Sequence, residues 1–289
     1  MNITGQTKLV GVFGYPIGHS VSPQMHNAAF RHLGMDWLYV PFAVAPDNLE
    51  RALRALPALG MAGVNVTIPL KELALAAVDE VMPPANLVGA VNTVHCRDAK
   101  LVGYNTDVAG FTRSLVEHGE DLAGRTVVIL GAGGAARAAV VALAQMGAAR
   151  IWVVALQVEL ERGARTAELA RRADREAVGA VIEWKRPALR AAVAQADALV
   201  NATPIGMYPH HEQPAPVPAS WLRPDMLVYD MVYNPPETRL LAGARRRGCR
   251  TLGGLRMLVL QGAESFTVWT GRQAPADIMQ EAVAGALAK

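Results

Sequence analysis

Residues 125–155 read RTVVILGAGGAARAAVVALAQMGAARIWVVA. Arg125 to Leu130 is a short run of apolar and β-branched residues, the mark of a strand buried on both faces. Gly131-Ala132-Gly133-Gly134-Ala135-Ala136 follows at once. An alanine-rich helix then runs to about Met146, where Gly147 stops it, and Arg150 to Ala155 reads as the next strand. A strand, a glycine turn, a helix and a strand within about thirty residues is the spacing of a dinucleotide-binding unit.

Each small residue in that turn has a task. Gly131 permits the tight turn, Gly133 lets the backbone approach a pyrophosphate, and Ala136 lets helix and strand pack closely. The helix start then offers free N–H groups and a positive dipole end to phosphate. Gly131, Ala132, Gly133, Gly134 and Ala135 are therefore candidate cofactor residues. The residue that reads the adenosine ribose closes the second strand, where an acid favours NAD and a basic residue NADP. Here the chain reads Val154-Ala155-Leu156-Gln157-Val158-Glu159-Leu160-Glu161-Arg162. Neither an acid nor an arginine ends the strand. Gln157 can hydrogen-bond ribose hydroxyls, and Arg162, about a turn later, can reach a phosphate or simply face solvent. The preference between NAD and NADP stays open.

Working towards the N-terminus, strands and helices again alternate. Leu9 to Phe13, Trp37 to Val44, Gly63 to Ile68 and Leu101 to Tyr104 read as strands. Helices are expected from Ser22-Pro23, with Ser22 as N-cap, and over Asn48 to Leu59, Leu70 to Val78 and Ala109 to His118. Further strands are expected at Ala198 to Asn201 and Met226 to Met231. The alternation predicts an α/β protein whose sheets are parallel and covered on both faces. Polar groups gather where strands end. Ser20 and Ser22 bracket Val21 at a helix start and suit a carboxylate, although helix capping alone accounts for Ser22. Asn65, Thr67 and Lys71 end one strand, and GAVNT (89–93) and GYNTD (103–107) add polar groups to apolar surroundings.

The chain has 289 residues, 52% hydrophobic and 18% charged, which suits two domains with large cores and excludes a disordered scaffold. A formal charge of +3 is too small to imply nucleic acid, and the arginines from Arg162 to Arg175 read as a solvated helix face. Two cysteines, Cys96 and Cys249, support neither a disulfide framework nor a cysteine zinc site, and no metal is expected. A reducing, cytoplasmic setting fits. The N-terminal residues lack the pattern of a signal peptide, and no apolar run is long enough to span a bilayer.

The strings GYPIGHSVSPQMHNAAF, NVTIPLKE, GAVNT, GYNTD, GAGGAARA, NATPIGM, DMVYNPPET and GLRMLVLQGAESF occur in this order between about Gly11 and Trp269. In that order they resemble the shikimate dehydrogenase family, which includes a quinate/shikimate branch. The resemblance implies a two-domain α/β fold. A substrate domain would occupy 1–107 and be completed by helices in about 256–289, with a Rossmann-type NAD(P) domain over 108–255. It implies NADP- or NAD-dependent interconversion of 3-dehydroshikimate and shikimate, in the chorismate pathway to aromatic amino acids, by a monomer or homodimer. Its partners would be small molecules, with no nucleic acid and no membrane. By motif, Lys71 and Asp107 resemble the catalytic pair, and Ser20 and Ser22 the carboxylate-binding serines. Asn65, Thr67, Asn92 and Gln261 resemble the ligands of the ring hydroxyls, and Tyr233 a tyrosine near the substrate. Thr203 and Met207 would line the cofactor, with Gly254 and Met257 near the nicotinamide. His19 and His26, within the first motif, read as structural residues rather than ligands.

Three positions depart from the family's pattern. Tyr15 stands where Asn is usual and is similar to the quinate/shikimate branch, so a quinate dehydrogenase is the rival enzyme. Gln157-Val158-Glu159 takes the place of the Asn-Arg-Thr of NADP-dependent members. Gly253 replaces an Asp. A dinucleotide-binding regulator with a dead site is the rival from another class, and intact Lys71 and Asp107 argue against it.

Overall fold

The computed structural model describes residues 3–288. The backbone divides into two compact units, one holding the residues up to Gly110 and those from Val259 on, the other Phe111–Leu258.

The first unit contains β1 (Lys8–Gly14), α1 (Ser22–His32), β2 (Trp37–Ala43), α2 (Leu49–Ala55), β3 (Met61–Val66), α3 (Lys71–Ala77), β4 (Glu80–Val81), α4 (Ala85–Val88), β5 (Thr93–Arg97), β6 (Lys100–Tyr104) and the start of α5 (Asp107–Glu117). Its six-stranded sheet has the order β2-β1-β3-β5-β6-β4. Strands β1, β2 and β3 run parallel, but β5 is antiparallel to both β3 and β6. The expectation of a wholly parallel sheet is corrected here. Asp98 and Ala99, at φ 51° and 62°, close a two-residue turn between β5 and β6, which makes an antiparallel hairpin. Phe13, Leu53, Leu56, Val64, Val66, Leu70 and Val94 form one core. On the α1 side His26 stacks on Tyr39, with ring centroids 4.4 Å apart and planes 3° apart, beside Phe30 and Trp269.

The second unit contains β7 (Thr126–Leu130), α6 (Gly134–Gln145), β8 (Arg150–Ala155), α7 (Leu160–Ala173), β9 (Val178–Glu183), α8 (Arg186–Gln195), β10 (Ala198–Asn201), β11 (Leu227–Asp230), α9 (Arg239–Arg246) and β12 (Arg250–Gly253). All neighbouring strands of its six-stranded sheet are parallel, in the order β12-β11-β10-β7-β8-β9. The residues of β7 are buried throughout, as a strand between two helical layers requires. Gly147, at φ +83°, ends the α6 segment where the sequence places the stop. The chain passes from β7 to β8 on one side and returns to β10 on the other, so β7 and β10 flank the point where strand order reverses. The chain closes with α10 (Gly254–Thr270) and α11 (Ala276–Leu287), and α11 packs on α1. Among the described residues no helix is long and apolar enough to cross a membrane.

Candidate active site

In the first unit, three loops at the ends of β3, β6 and the β4–β5 connection bring the predicted polar residues together. Lys71 opens α3 just after β3, and Asp107 opens α5 just after β6. Asn105 sets that second start, accepting from the N–H groups of Asp107 (3.1 Å) and Val108 (3.3 Å) and donating to the Ala90 carbonyl (2.9 Å). The two side chains meet, with Lys71 Nζ 2.6 Å from Asp107 Oδ2, their side chains 18% and 6% exposed. Asn92 Nδ2 donates to Asp107 Oδ1 at 2.9 Å. The Asn92 amide cannot turn over. Its Oδ1 accepts from the Thr106 backbone N–H at 2.8 Å, which only donates, so its NH₂ must face the carboxylate.

Asn65 lies behind this pair, 7% exposed. Its Nδ2 is within reach of three acceptors, the Asn92 carbonyl (3.2 Å), Thr93 Oγ1 (3.0 Å) and Ser265 Oγ (2.9 Å), and its Oδ1 accepts from the Tyr39 hydroxyl (2.8 Å). Both Asn65 N–H groups are thus committed within the protein. Gln261, on α10, places Oε1 3.5 Å from Asn92 Nδ2. A Cβ on Gly110 would stand 2.9 Å from the Gln261 backbone nitrogen, so α5 and α10 approach as closely as a glycine allows. Thr67 is half-buried after β3, its methyl against Gly14.

The start of α1 differs from its sequence reading by one residue. Val21 holds the N-cap position and Ser22 is the first helical residue. Ser20 Oγ accepts from the Ser22 N–H at 3.3 Å, while the Ser22 side chain hydrogen-bonds Tyr39. Pro23 therefore falls in the first turn, where its missing N–H costs no helical hydrogen bond. Both serines are half-buried. His19 is exposed; His26 is fully buried with no hydrogen bond to either ring nitrogen, and burial lowers its pKa to about 3. Among the described residues no cluster suits a metal ion.

The second unit carries the glycine turn. Gly131 has φ +100°, a conformation L side chains rarely adopt, and Gly133 leaves open space in which a Cβ would meet only Arg162 Nη2, at 3.9 Å. Gly133 caps α6 without a side chain, so no side chain competes for the N–H groups of Gly134, Ala135 and Ala136. This cradle fits a dinucleotide pyrophosphate. Arg162 Nη2 lies beside the turn, and its Nη1 pairs with Glu159 at 3.5 Å, with the side chain 38% exposed. Gln157 is exposed in a short 3₁₀ turn after β8. Thr203 lays its methyl 3.0 Å from the Cβ position of Gly131, and Met207 is half-buried at the far end of that loop. Tyr233 is half-buried after β11, its phenol pKa raised by burial. Gly254 is required by a close approach, since a Cβ there would fall 2.1 Å from the Met231 carbonyl oxygen; Met257, a turn later, is buried.

Several residues of these networks carried no role in the sequence reading. Thr93, Thr106 and Asn105 lay inside the quoted strings GAVNT and GYNTD, so their polarity in apolar surroundings was the available signal. Ser265, Asn201 and Asp230 also lay inside quoted strings, but the Asn65–Ser265 and Asn201–Asp230 bonds join residues distant in sequence.

Two family profiles match the chain, one described as the shikimate dehydrogenase substrate binding domain over residues 12–94 and one as the shikimate 5'-dehydrogenase C-terminal domain over 254–284. The shikimate dehydrogenase (NADP(+)) of Moorella thermoacetica is 46% identical over 99% of this chain and 96% of its own. A shikimate dehydrogenase solved in complex with NADP+ superposes with a TM-score of 0.92, at 38% identity over 100% of this chain and 98% of that one. A quinate dehydrogenase from Corynebacterium glutamicum, solved with NAD, gives a TM-score of 0.87 at 34% identity, covering 96% and 99%. Full-length identity of this order, on a fold shared from end to end and over a clamped Lys71–Asp107 pair, places the chain in the shikimate dehydrogenase family.

Proposed function

We propose that the chain catalyses the reversible NAD(P)-dependent reduction of 3-dehydroshikimate to shikimate. The observation that carries this reading is the Lys71–Asp107 pair, with Asn92 fixed on the other carboxylate oxygen. The first unit would hold substrate and the second the cofactor. When bound, the nicotinamide supplies the hydride to the carbonyl carbon. Lys71 then donates its proton to the carbonyl oxygen, and in the reverse direction takes it back from the hydroxyl. Asp107 holds the ammonium in place and can accept from the reacting hydroxyl. Ser20 and Ser22 clamp the substrate carboxylate, aided by the positive end of α1. Thr67, Asn92 and Gln261 take the ring hydroxyls. The Oδ1 lone pair is what Asn65 has left to offer, so its part is chiefly to hold Asn92. By motif alone, Tyr233 would be the tyrosine that serves the substrate.

The turn from Gly131 to Ala135 would carry the pyrophosphate, with Gln157 at the ribose and Arg162 at any 2′-phosphate. Thr203, Met207, Gly254 and Met257 would line the rest. Two free thiols, Cys96 and Cys249, suit a cytoplasmic enzyme. Tyr15, the residue type similar to the quinate/shikimate branch, keeps quinate as the alternative substrate.

Steady-state kinetics on shikimate and quinate, each with NAD and NADP, tests the reading. Shikimate should turn over with at least one cofactor. A folded protein that binds cofactor and turns over none of the four combinations would be a regulator instead.

A further inference from the structure

At the reversal of the second sheet, the segments leaving β7 and β10 touch. The Ala202 N–H donates to the Leu130 carbonyl at 3.0 Å, and the Thr203 methyl covers Gly131. The crevice outside the carboxyl ends of such strands is where these sheets bind ligands. The shape of residues 202–207 there is set by Asn201, which is fully buried and has every hydrogen-bonding position filled. Its Oδ1 accepts from the Thr203 N–H (3.1 Å) and Oγ1 (2.6 Å); its Nδ2 donates to the Ile205 carbonyl (3.2 Å) and to Asp230 Oδ1 (2.9 Å).

A backbone N–H only donates and a backbone carbonyl only accepts, so one orientation of the Asn201 amide is allowed. The Thr203 hydroxyl hydrogen is committed to Asn201, and its oxygen also accepts from the Ile205 N–H at 3.2 Å. Asp230, fully buried at the end of β11, anchors the arrangement. Besides Asn201 it accepts from the Val232 N–H (3.1 Å) and from Thr238 Oγ1 (2.6 Å), the N-cap of α9.

We propose that Asn201 and Asp230 are positioning residues for the cofactor, holding the 202–207 loop against the glycine turn in its binding shape before cofactor arrives. This rests on the reading of the second unit as the cofactor unit. It differs from a plain fold contact in what the carboxylate costs. Burial raises the Asp230 carboxyl to about 6, against the opposing pull of its three donors. The charged residues beside Thr238 are engaged elsewhere, Glu237 with Arg245 and Arg239 with Glu212, and Tyr229 bonds Ser114. An asparagine at 230 keeps one oxygen for Asn201 and Val232 and turns its NH₂ to the Thr238 hydroxyl. It removes the buried charge and weakens the grip on Asn201.

The test is NADPH and NADH binding by fluorescence, with the thermal midpoint of the cofactor-free protein and the shikimate KM at saturating cofactor. Asn201→Ala should weaken binding by about tenfold or more, and Asp230→Asn by about three- to tenfold, the range for losing neutral and charge-assisted hydrogen bonds. Shikimate KM should stay within about twofold, and the Asp230→Asn midpoint at pH 7.5 should equal or exceed the parent's. Binding within about twofold of the parent in both variants, or an Asp230→Asn midpoint that falls in step with its affinity, overturns the proposal. A parent that binds neither cofactor overturns the reading of the second unit instead.

Discussion

Lys71 Nζ and Asp107 Oδ2 lie 2.6 Å apart, and the second oxygen of that carboxylate is held by Asn92 at 2.9 Å. Helix starts supply both residues of the pair, so neither depends on a mobile loop tip. Asn92→Ala removes the donor on Asp107 Oδ1 and leaves the carboxylate free to rotate. Activity (kcat/KM for shikimate) should fall by about 10- to 150-fold, the equivalent of one hydrogen bond to a charged group. Steady-state kinetics on the purified variant checks this.

The serine pair should act on substrate and not on cofactor. Ser20→Ala and Ser22→Ala should each weaken shikimate binding by about 0.5–3 kcal/mol, since each removes a hydrogen bond to a carboxylate. Titration with shikimate and, separately, with NADPH resolves the two effects. Equal losses of both affinities would point instead to a frayed α1, because Ser20 also accepts from the Ser22 N–H.

Arg162 should read the 2′-phosphate. Its guanidinium overlooks Gly133, and Glu159 partly neutralises it at 3.5 Å. Arg162→Ala should raise KM for NADP by about 10- to 100-fold and leave KM for NAD within about twofold, because only NADP loses a charge-assisted contact. Strong NADP preference in the parent, unchanged in the variant, would mean another residue reads the phosphate.

His26 should make the fold acid-sensitive. Burial lowers its pKa from 6.5 to about 3, so the neutral ring is the form the fold accepts. A depressed folded-state pKa gives stability that is present above pH 6.5 and is lost as pH falls from there towards 3. At pH 5 the loss should be about 2 kcal/mol, since each pH unit below the unfolded value costs about 1.4 kcal/mol. Urea midpoints at pH 7.5 and 5.0 should therefore lie further apart in the parent than in His26→Leu.

The parts of the fold legible in sequence are those where one physical constraint dominates. The β7–α6–β8 unit was readable because a doubly buried strand is a continuous apolar run and a pyrophosphate turn needs small residues at set spacing. The β5–β6 hairpin was not, because Asp98-Ala99 lacks the glycine that usually marks positive φ. Strand β9, at the sheet edge, is exposed at Val178 and half-buried elsewhere, so it leaves no apolar run to find. Lys71, Asp107 and Asn92 could be named from motif strings, but their mutual orientation rests on the Thr106 N–H, which no residue type announces. The pairing of Asn201 with Asp230 was hidden for a related reason. Each reads as a polar residue ending an apolar strand, and the fact that they bond each other exists only once β10 and β11 are neighbours.

The most direct test of Lys71 as proton donor is Lys71→Ala, assayed for kcat and KM in both directions. Loss of a positioned acid–base group should lower kcat by about 10²- to 10⁴-fold, with a smaller change in KM and unchanged NADPH binding. A kcat within a few-fold of the parent would show that the proton comes from another group and that the Lys71–Asp107 pair is not the catalytic centre.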